Sequence, residues 1–294
     1  MGAGEADRYH VPPKSRRRAS APPETSSQDS LMTLLNTLIL AAASTPAVEA
    51  PQPQMSVSPA LTEEEAENLN KWTGSFNAGG TISTGNTSRK SANAALDMQR
   101  RGEKDRWTFG VAWDYGQEKD LATGTKTTSQ RHLGAVVQYD YFLNTKSYAL
   151  ANAAGENDLL SDLRLRSTIG VGYGYQFKED ENWKLSAEVG VGYYKKDYYS
   201  SADVEYPNGR FAYSWEARFG GGETKSWLAA QDFNVLPSLE DGDQIYTRLD
   251  TRLRYDMSTA WHLQLQHIWE WDNVPSPGLR RSDNRVLASV GYSF

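Results

Sequence analysis

The sequence predicts an all-β protein: a closed antiparallel transmembrane β-barrel of about 12 strands, with short periplasmic turns and longer extracellular loops. Three observations predict it. From residue 71 onward, stretch after stretch alternates apolar and polar residues with the period of two that an extended chain imposes. Tyr and Trp, 16 and 9 in number, gather near the ends of those stretches, where amphipathic rings settle between lipid and water. The stretch from Arg285 to Phe294 sets Val286, Ala288, Val290, Tyr292 and Phe294 on one face against Arg285, Leu287, Ser289, Gly291 and Ser293 on the other. A strand of this kind closes a barrel onto its first strand, so that no unbonded edge is left in lipid.

Composition narrows the class. A mean hydropathy of -0.66 excludes a helical membrane protein but not a barrel, whose strands are apolar only at alternate positions. The absence of Cys removes disulfide scaffolds and thiolate chemistry, and suits a chain that crosses an oxidising compartment. A net charge of -6 argues against nucleic-acid binding. The one basic run, Lys14-Ser15-Arg16-Arg17-Arg18, reads as a flank in the amino-terminal tail.

Residues 1–30 are rich in Pro, Ser and charge with no apolar period, which predicts a disordered tail or an extension ahead of a true start at Met32. Leu31 to Ala43 is an apolar run of signal-peptide length, too short to span a bilayer as a helix. Val48 and Ala50 satisfy a small-x-small rule, so residues 31–50 are read as a signal peptide cleaved after Ala50. Residues 51–70 follow as a periplasmic linker with a short helix begun by Thr62, and 71–294 as the barrel.

The strands run in order. Lys71 to Ser83 turns Trp72, Phe76, Ala78 and Ile82 to lipid, and Gly85-Asn86 makes a tight turn. Ser88 to Arg100 presents Ala92, Ala94, Leu96 and Met98, and a third strand presents Trp107, Phe109, Val111, Trp113 and Tyr115. Beyond the loop Gln117 to Thr127, a fourth strand turns Leu133, Ala135, Val137, Tyr139 and Tyr141 outward. The fifth, Ser147 to Gly155, is Ala-rich, and its facing stays open. The sixth sets Leu163, Leu165, Ile169, Val171, Tyr173, Tyr175 and Phe177 outward, and the seventh Trp183, Leu185, Ala187, Val189, Val191 and Tyr193. After the loop Lys195 to Asn208, the eighth presents Phe211, Tyr213, Trp215, Ala217 and Phe219. The ninth (Lys225 to Pro237), tenth (Gln244 to Asp256) and eleventh (Trp261 to Asp272) lead through the loop Asn273 to Arg281 to the closing strand.

This threading brings Trp72, Trp107, Trp183, Trp227, Trp261, Tyr292 and Phe294 to the periplasmic edge of the lipid-facing band as an aromatic girdle. A soluble, secreted, ligand-binding β-sandwich would alternate too, with its apolar side turned inward. The girdle, the long loops on one side and the export signal favour the barrel.

The inward phases carry both charge signs. Lumen-lining candidates are Arg164, Arg166, Arg218, Arg248, Arg252 and Arg254, with Glu188, Glu216, Asp232 and Asp250 against them. Two readings stand: a ladder of ion pairs that stiffens and partly fills the lumen, or a narrow, water-filled, arginine-lined pore favouring small anions. Inward glycines at Gly170, Gly172, Gly174, Gly190 and Gly192 leave space for the second. His132 and His262 also face the lumen, but no motif ties either to a Ser, so an enzyme acting on lipid is only an alternative. His267 falls on the outward phase beside Trp269, where an amphipathic residue belongs to the interface. Glu240-Asp241-Gly242-Asp243 reads as a loop turn rather than a calcium site, and no catalytic residue, cofactor or metal is expected.

Trp72-Thr73-Gly74 with Thr81 to Thr87, Leu163-Arg164-Leu165-Arg166-Ser167 leading into Gly170-Val171-Gly172-Tyr173, and the closing Gly291-Tyr292-Ser293-Phe294 carry a family resemblance. From about Trp72 to Phe294 the chain resembles the YdiY-like salt-induced outer-membrane proteins, named as a domain of unknown function. The resemblance implies a place in the outer membrane of a Gram-negative bacterium, with outer-membrane lipid as its surroundings. It further implies insertion by the barrel assembly machinery and an association with salt or osmotic stress, and it supplies no reaction. The expected role is structural or osmotic-response, with a narrow small-solute pore as its sharper form.

Overall fold

The computed structural model describes residues 69–294 apart from 84–86, 121–122, 181 and 221–225. The tail, the signal peptide, the helix begun by Thr62 and the Gly85-Asn86 turn lie outside the described residues. Twelve strands follow one another: β1 (Trp72–Ser83), β2 (Thr87–Arg101), β3 (Asp105–Asp120), β4 (Lys126–Phe142), β5 (Ser147–Asp158), β6 (Leu163–Glu179), β7 (Trp183–Tyr198), β8 (Val204–Phe219), β9 (Trp227–Pro237), β10 (Ile245–Asp256), β11 (Trp261–Asp272) and β12 (Ser282–Ser293). Each pairs antiparallel with its neighbours in sequence, and β12 returns to β1 to close the barrel.

Burial decides which way the faces point. On β3, Trp113 is 43% exposed and its neighbour Asp114 only 2%, and the same alternation runs along the strand. A sandwich would bury the Trp and wet the Asp, so the soluble alternative gives way to a transmembrane barrel with an apolar exterior and a polar interior. Most of the girdle candidates pack against a neighbouring ring: Trp72 on Phe109, Trp107 on Tyr139, Trp183 on Trp215, Trp227 on Tyr255 and Trp261 on Tyr292, and Phe294 is exposed.

Three expectations need correction. The loops Gln117 to Thr127 and Lys195 to Asn208 are shorter than polarity suggested, because ladder pairing continues through Lys119↔Lys126 and Lys196↔Val204. Backbone groups keep pairing beyond the apolar band: Lys119 and Lys126 are exposed there, whereas Lys196 is buried. Arg164 does not line the lumen: a bulge between Leu163 and Leu165 shifts the phase, burying Leu163 and sending the Arg164 side chain out at 55% exposure. Third, the space beside Gly174 is no channel. A Cβ there would overlap the Tyr148 ring, which lies flat on the glycine.

That ring also settles the facing of β5, which turns Tyr148, Leu150, Asn152, Glu156 and Asp158 inward and Ala149 and Ala151 outward. Small residues on the lipid face and large ones inside reverse the usual contrast, which is why its pattern was unreadable.

Candidate functional site: the lumen

The extracellular half of the lumen is bridged from wall to wall. Glu270 on β11 accepts hydrogen bonds from Arg248 Nη1 at 2.8 Å, from the Tyr246 hydroxyl and from Arg285. Arg166 reaches toward it from β6, its Nη1 3.8 Å away, while pairing with Glu156 and lying 4.4 Å from the Tyr246 ring centroid. One step higher, Lys196 on β7 crosses to Asp272 on β11 at 2.7 Å and donates to the Val274 carbonyl at 3.3 Å. The stacked pair Tyr194 and Tyr206, with Leu236 and Tyr246, packs between these bridges. What remains there is a void of about 50 Å³, room for a water or two.

Over this layer three extracellular connections are tied to one side chain. Asp162 accepts from the Ser200 amide at 3.0 Å and hydroxyl at 2.7 Å, and from the hydroxyls of Ser201 at 2.9 Å and Ser276 at 3.1 Å. Its backbone sits at φ 58, a left-handed conformation that Asp tolerates. The Ser200 hydroxyl above all, with Ser201, Ser276 and the Ser200 amide, holds its carboxyl below the usual carboxylate range. A depressed folded value means that this contribution is complete above the unfolded value of 3.8 and is lost as pH falls through the folded one. Protection of the Ser200 amide, taken against the intrinsic exchange rate at each pH, is therefore expected to be high at neutral pH and to fall in acid only below 3.8, as pH drops through the depressed folded value, and to be low at both in Asp162→Ala. Unchanged protection in the variant would show that the clasp is incidental.

The periplasmic half is divided. Under β3 to β8 it is filled: Arg106 pairs with Asp140 at 2.8 Å, Gln138 links Asp140 to Glu188, and Glu188 takes Tyr148 at 2.9 Å and Arg210 at 2.6 Å. Phe142, Tyr148 and Leu150 pack beside this network, with Arg101 over the Phe142 ring. On the side of β1, β2 and β8 to β12 lies a cavity of about 720 Å³. Residues at the periplasmic strand ends line its mouth, among them Lys71, Arg218 and Ser293, and Asp97, Asp250 and Arg252 line its interior.

Of the lumen candidates, the structure places Arg166 and Arg248 in the Glu270 layer and Glu188 in the filled half. Arg252 pairs with Asp232 and lies 3.8 Å from Asp250. Arg254 reaches Asp256 at 2.5 Å, and Arg218 reaches the same carboxylate at 2.9 Å. Glu216 lines the cavity. Glu270, Lys196 and the inward tyrosines are missing from the sequence reading, although the outward Trp269 and Trp271 already imply an inward Glu270.

His132 lies 3.7 Å from Glu156 within the extracellular network. His262 does something different. Its Nε2 bonds Asn77 on β1 at 3.0 Å and its Nδ1 meets the Ser293 hydroxyl at 3.3 Å, which in turn accepts from Arg254 at 3.1 Å. The imidazole is 1% exposed and lies across Gly291, so it joins β11 to β1 over the intervening β12. Asn77 and Ser293 line the cavity, and the buried His262 bonds both. Among the described residues no cluster of His, Asp and Glu could hold a metal ion.

The sequence profile of a family described as a protein of unknown function, DUF481, matches residues 76–294. No curated protein matches the chain. Among solved structures it is similar to a bacterial polysaccharide outer membrane secretin, at 7% identity and TM-score 0.40, covering 77% of this chain and 98% of that one. It is similar also to the NanC porin, at 10% identity and TM-score 0.41, covering 75% and 97%. A third is the translocator domain of the autotransporter NalP from Neisseria meningitidis, at 8% identity and TM-score 0.40, covering 91% and 97%.

Proposed function

The chain belongs to the DUF481 family of proteins of unknown function, and from that premise we propose an outer-membrane barrel of structural, osmotic-response type whose lumen is shut at rest. The wall-to-wall bridge carries the reading. Arg166 and Lys196 on one side meet Glu270 and Asp272 on the other, above a cavity that faces the periplasm. The polar lumen and the lipid-facing girdles support a place in the outer membrane of a Gram-negative cell, inserted by the barrel assembly machinery. The association with salt rests on the family resemblance. Arginines dominate the closed layer, so the solutes that would pass on opening are small anions.

Planar bilayers test this directly. The wild-type barrel is expected to show no sustained conductance, and any brief openings should favour chloride over potassium. A steady open channel, or one selective for cations, would overturn the closed, arginine-gated lumen. Heat-dependent migration on unboiled gels checks in the same preparation that the barrel is folded.

A further inference from the structure

The cavity beneath the closed layer has a charge pattern that the arginine bridge does not share. Four carboxylates, those of Asp97 on β2, Glu216 on β8, Asp232 on β9 and Asp250 on β10, act on the Arg252 guanidinium. Arg252 pairs with Asp232 and lies 3.8 Å from Asp250, while Arg248, 3.9 Å from Asp250, is held in the Glu270 layer. Asp97 and Glu216 line the cavity, and neither side chain forms a hydrogen bond among the described residues. Asp250 is 0% exposed and takes Gln266 at 2.6 Å on Oδ2, yet its Oδ1 accepts no hydrogen bond. The buried Thr108 hydroxyl, part of the same lining, has no partner among the described residues either. Excess negative charge and unmet polar atoms in an enclosed space are costly unless something bonds them.

The rim carries the opposite sign. One inward step nearer the periplasm, Arg218 follows Glu216 on β8 and Arg254 follows Arg252 on β10. The two share one carboxylate, Asp256, at 2.9 and 2.5 Å. Lys71 at the mouth is exposed and has no ion pair among the described residues. A guest that suits both ends is cationic at its inner end and anionic at its outer one. Successive inward residues on a strand lie about 7 Å apart, so the two ends are separated by about 7 Å from Glu216 to Arg218 and about 14 Å from Asp250 to Arg254. A free amino acid is too short for this, whereas an extended chain of about two to four residues reaches, at roughly 3.5 Å for each.

We propose that the cavity binds a short peptide entering from the periplasm, its ammonium group among Asp97, Glu216 and Asp250 and its carboxylate at Arg218, Arg254 and Lys71. Asn93 and Gln264, which also line the space, offer amides to the peptide groups in between. At about 720 Å³ it takes such a chain with water around it. The inference rests on the lumen being shut above, because the Glu270 layer gives the site its closed end.

Isothermal titration of the folded barrel in detergent at neutral pH tests it. Triglycine is expected to bind saturably at a single site. N-acetyltriglycine and triglycine amide, each missing one end charge, should bind at least about tenfold more weakly, the loss of a charged hydrogen bond. In the double substitution Asp97→Asn, Glu216→Gln, triglycine should fall to the level of N-acetyltriglycine, whose own affinity should not change. The unboiled-gel shift checks that this variant folds, and the three probes on the wild type decide the matter if it does not. Absence of saturable triglycine binding, or either capped peptide binding as tightly as triglycine, would overturn the proposal. A wild type that conducts steadily overturns the closed lumen, whereas a silent barrel that ignores triglycine overturns the peptide site alone.

Discussion

Glu270→Gln is expected to turn a silent barrel into an anion-conducting one and to cost it about 3–5 kcal/mol of stability, the usual penalty for removing one partner of a buried ion pair. Three cations depend on this carboxylate: Arg248 and Arg285 by direct hydrogen bonds and Arg166 at 3.8 Å. Gln keeps the shape and one acceptor oxygen but not the charge. Arg166 still has Glu156, and Arg248 keeps Asp250 at 3.9 Å, but the charge that holds Arg166, Arg248 and Arg285 together is gone, so the layer should loosen and draw water from the cavity below. Openings of the variant should be chloride-selective. Lys196→Met, which cuts the bridge to Asp272 one step higher, should raise their frequency further when combined with it. A folded Glu270→Gln barrel with no conductance would show that the tyrosine layer seals the lumen unaided.

Much of the fold was legible because lipid on one side and water on the other force strict alternation, and β3 shows it residue by residue. Legibility failed where that contrast weakened. β5 carries Ala outward and a Tyr inward, so its hydropathy does not alternate. Arg164 was misplaced by a single inserted residue, a bulge that no pattern of two announces. The lumen was harder still. The signs of its charges could be read from the strands, but which arginine meets which carboxylate depends on β6 facing β11 and β7 facing β11 across the barrel. Those distances are set by closure and strand tilt rather than by any local stretch. The glycines illustrate the limit: read along the strand they signify room, yet Tyr148 and His262 already occupy the room at Gly174 and Gly291.

Gly291→Val is expected to loosen the closure of the barrel more than its surroundings would suggest. β1 and β12 are paired only from Ser75↔Ser293 to Ala78↔Val290, extended by reciprocal 2.9 Å bonds between Gly74 and Phe294, whereas β2 and β3 pair along their whole length. The His262 to Asn77 bond crosses this short seam from β11, and it passes over Gly291 because no Cβ is there to block it. A side chain at 291 would overlap both the imidazole and the Asn77 amide. Overpacking of this kind costs about 1–3 kcal/mol, and here it would also break the bond that spans the seam. The folded band on unboiled gels should therefore melt at a lower temperature in Gly291→Val. His262→Leu should lower it too, since it removes the clasp without crowding. Gly155→Ala makes the control, because a methyl group there meets nothing nearer than Leu165 at 3.8 Å. Should both seam variants melt with the wild type, the closing strands would be held by their backbone ladder alone, and the buried histidine would have no part in keeping the barrel shut.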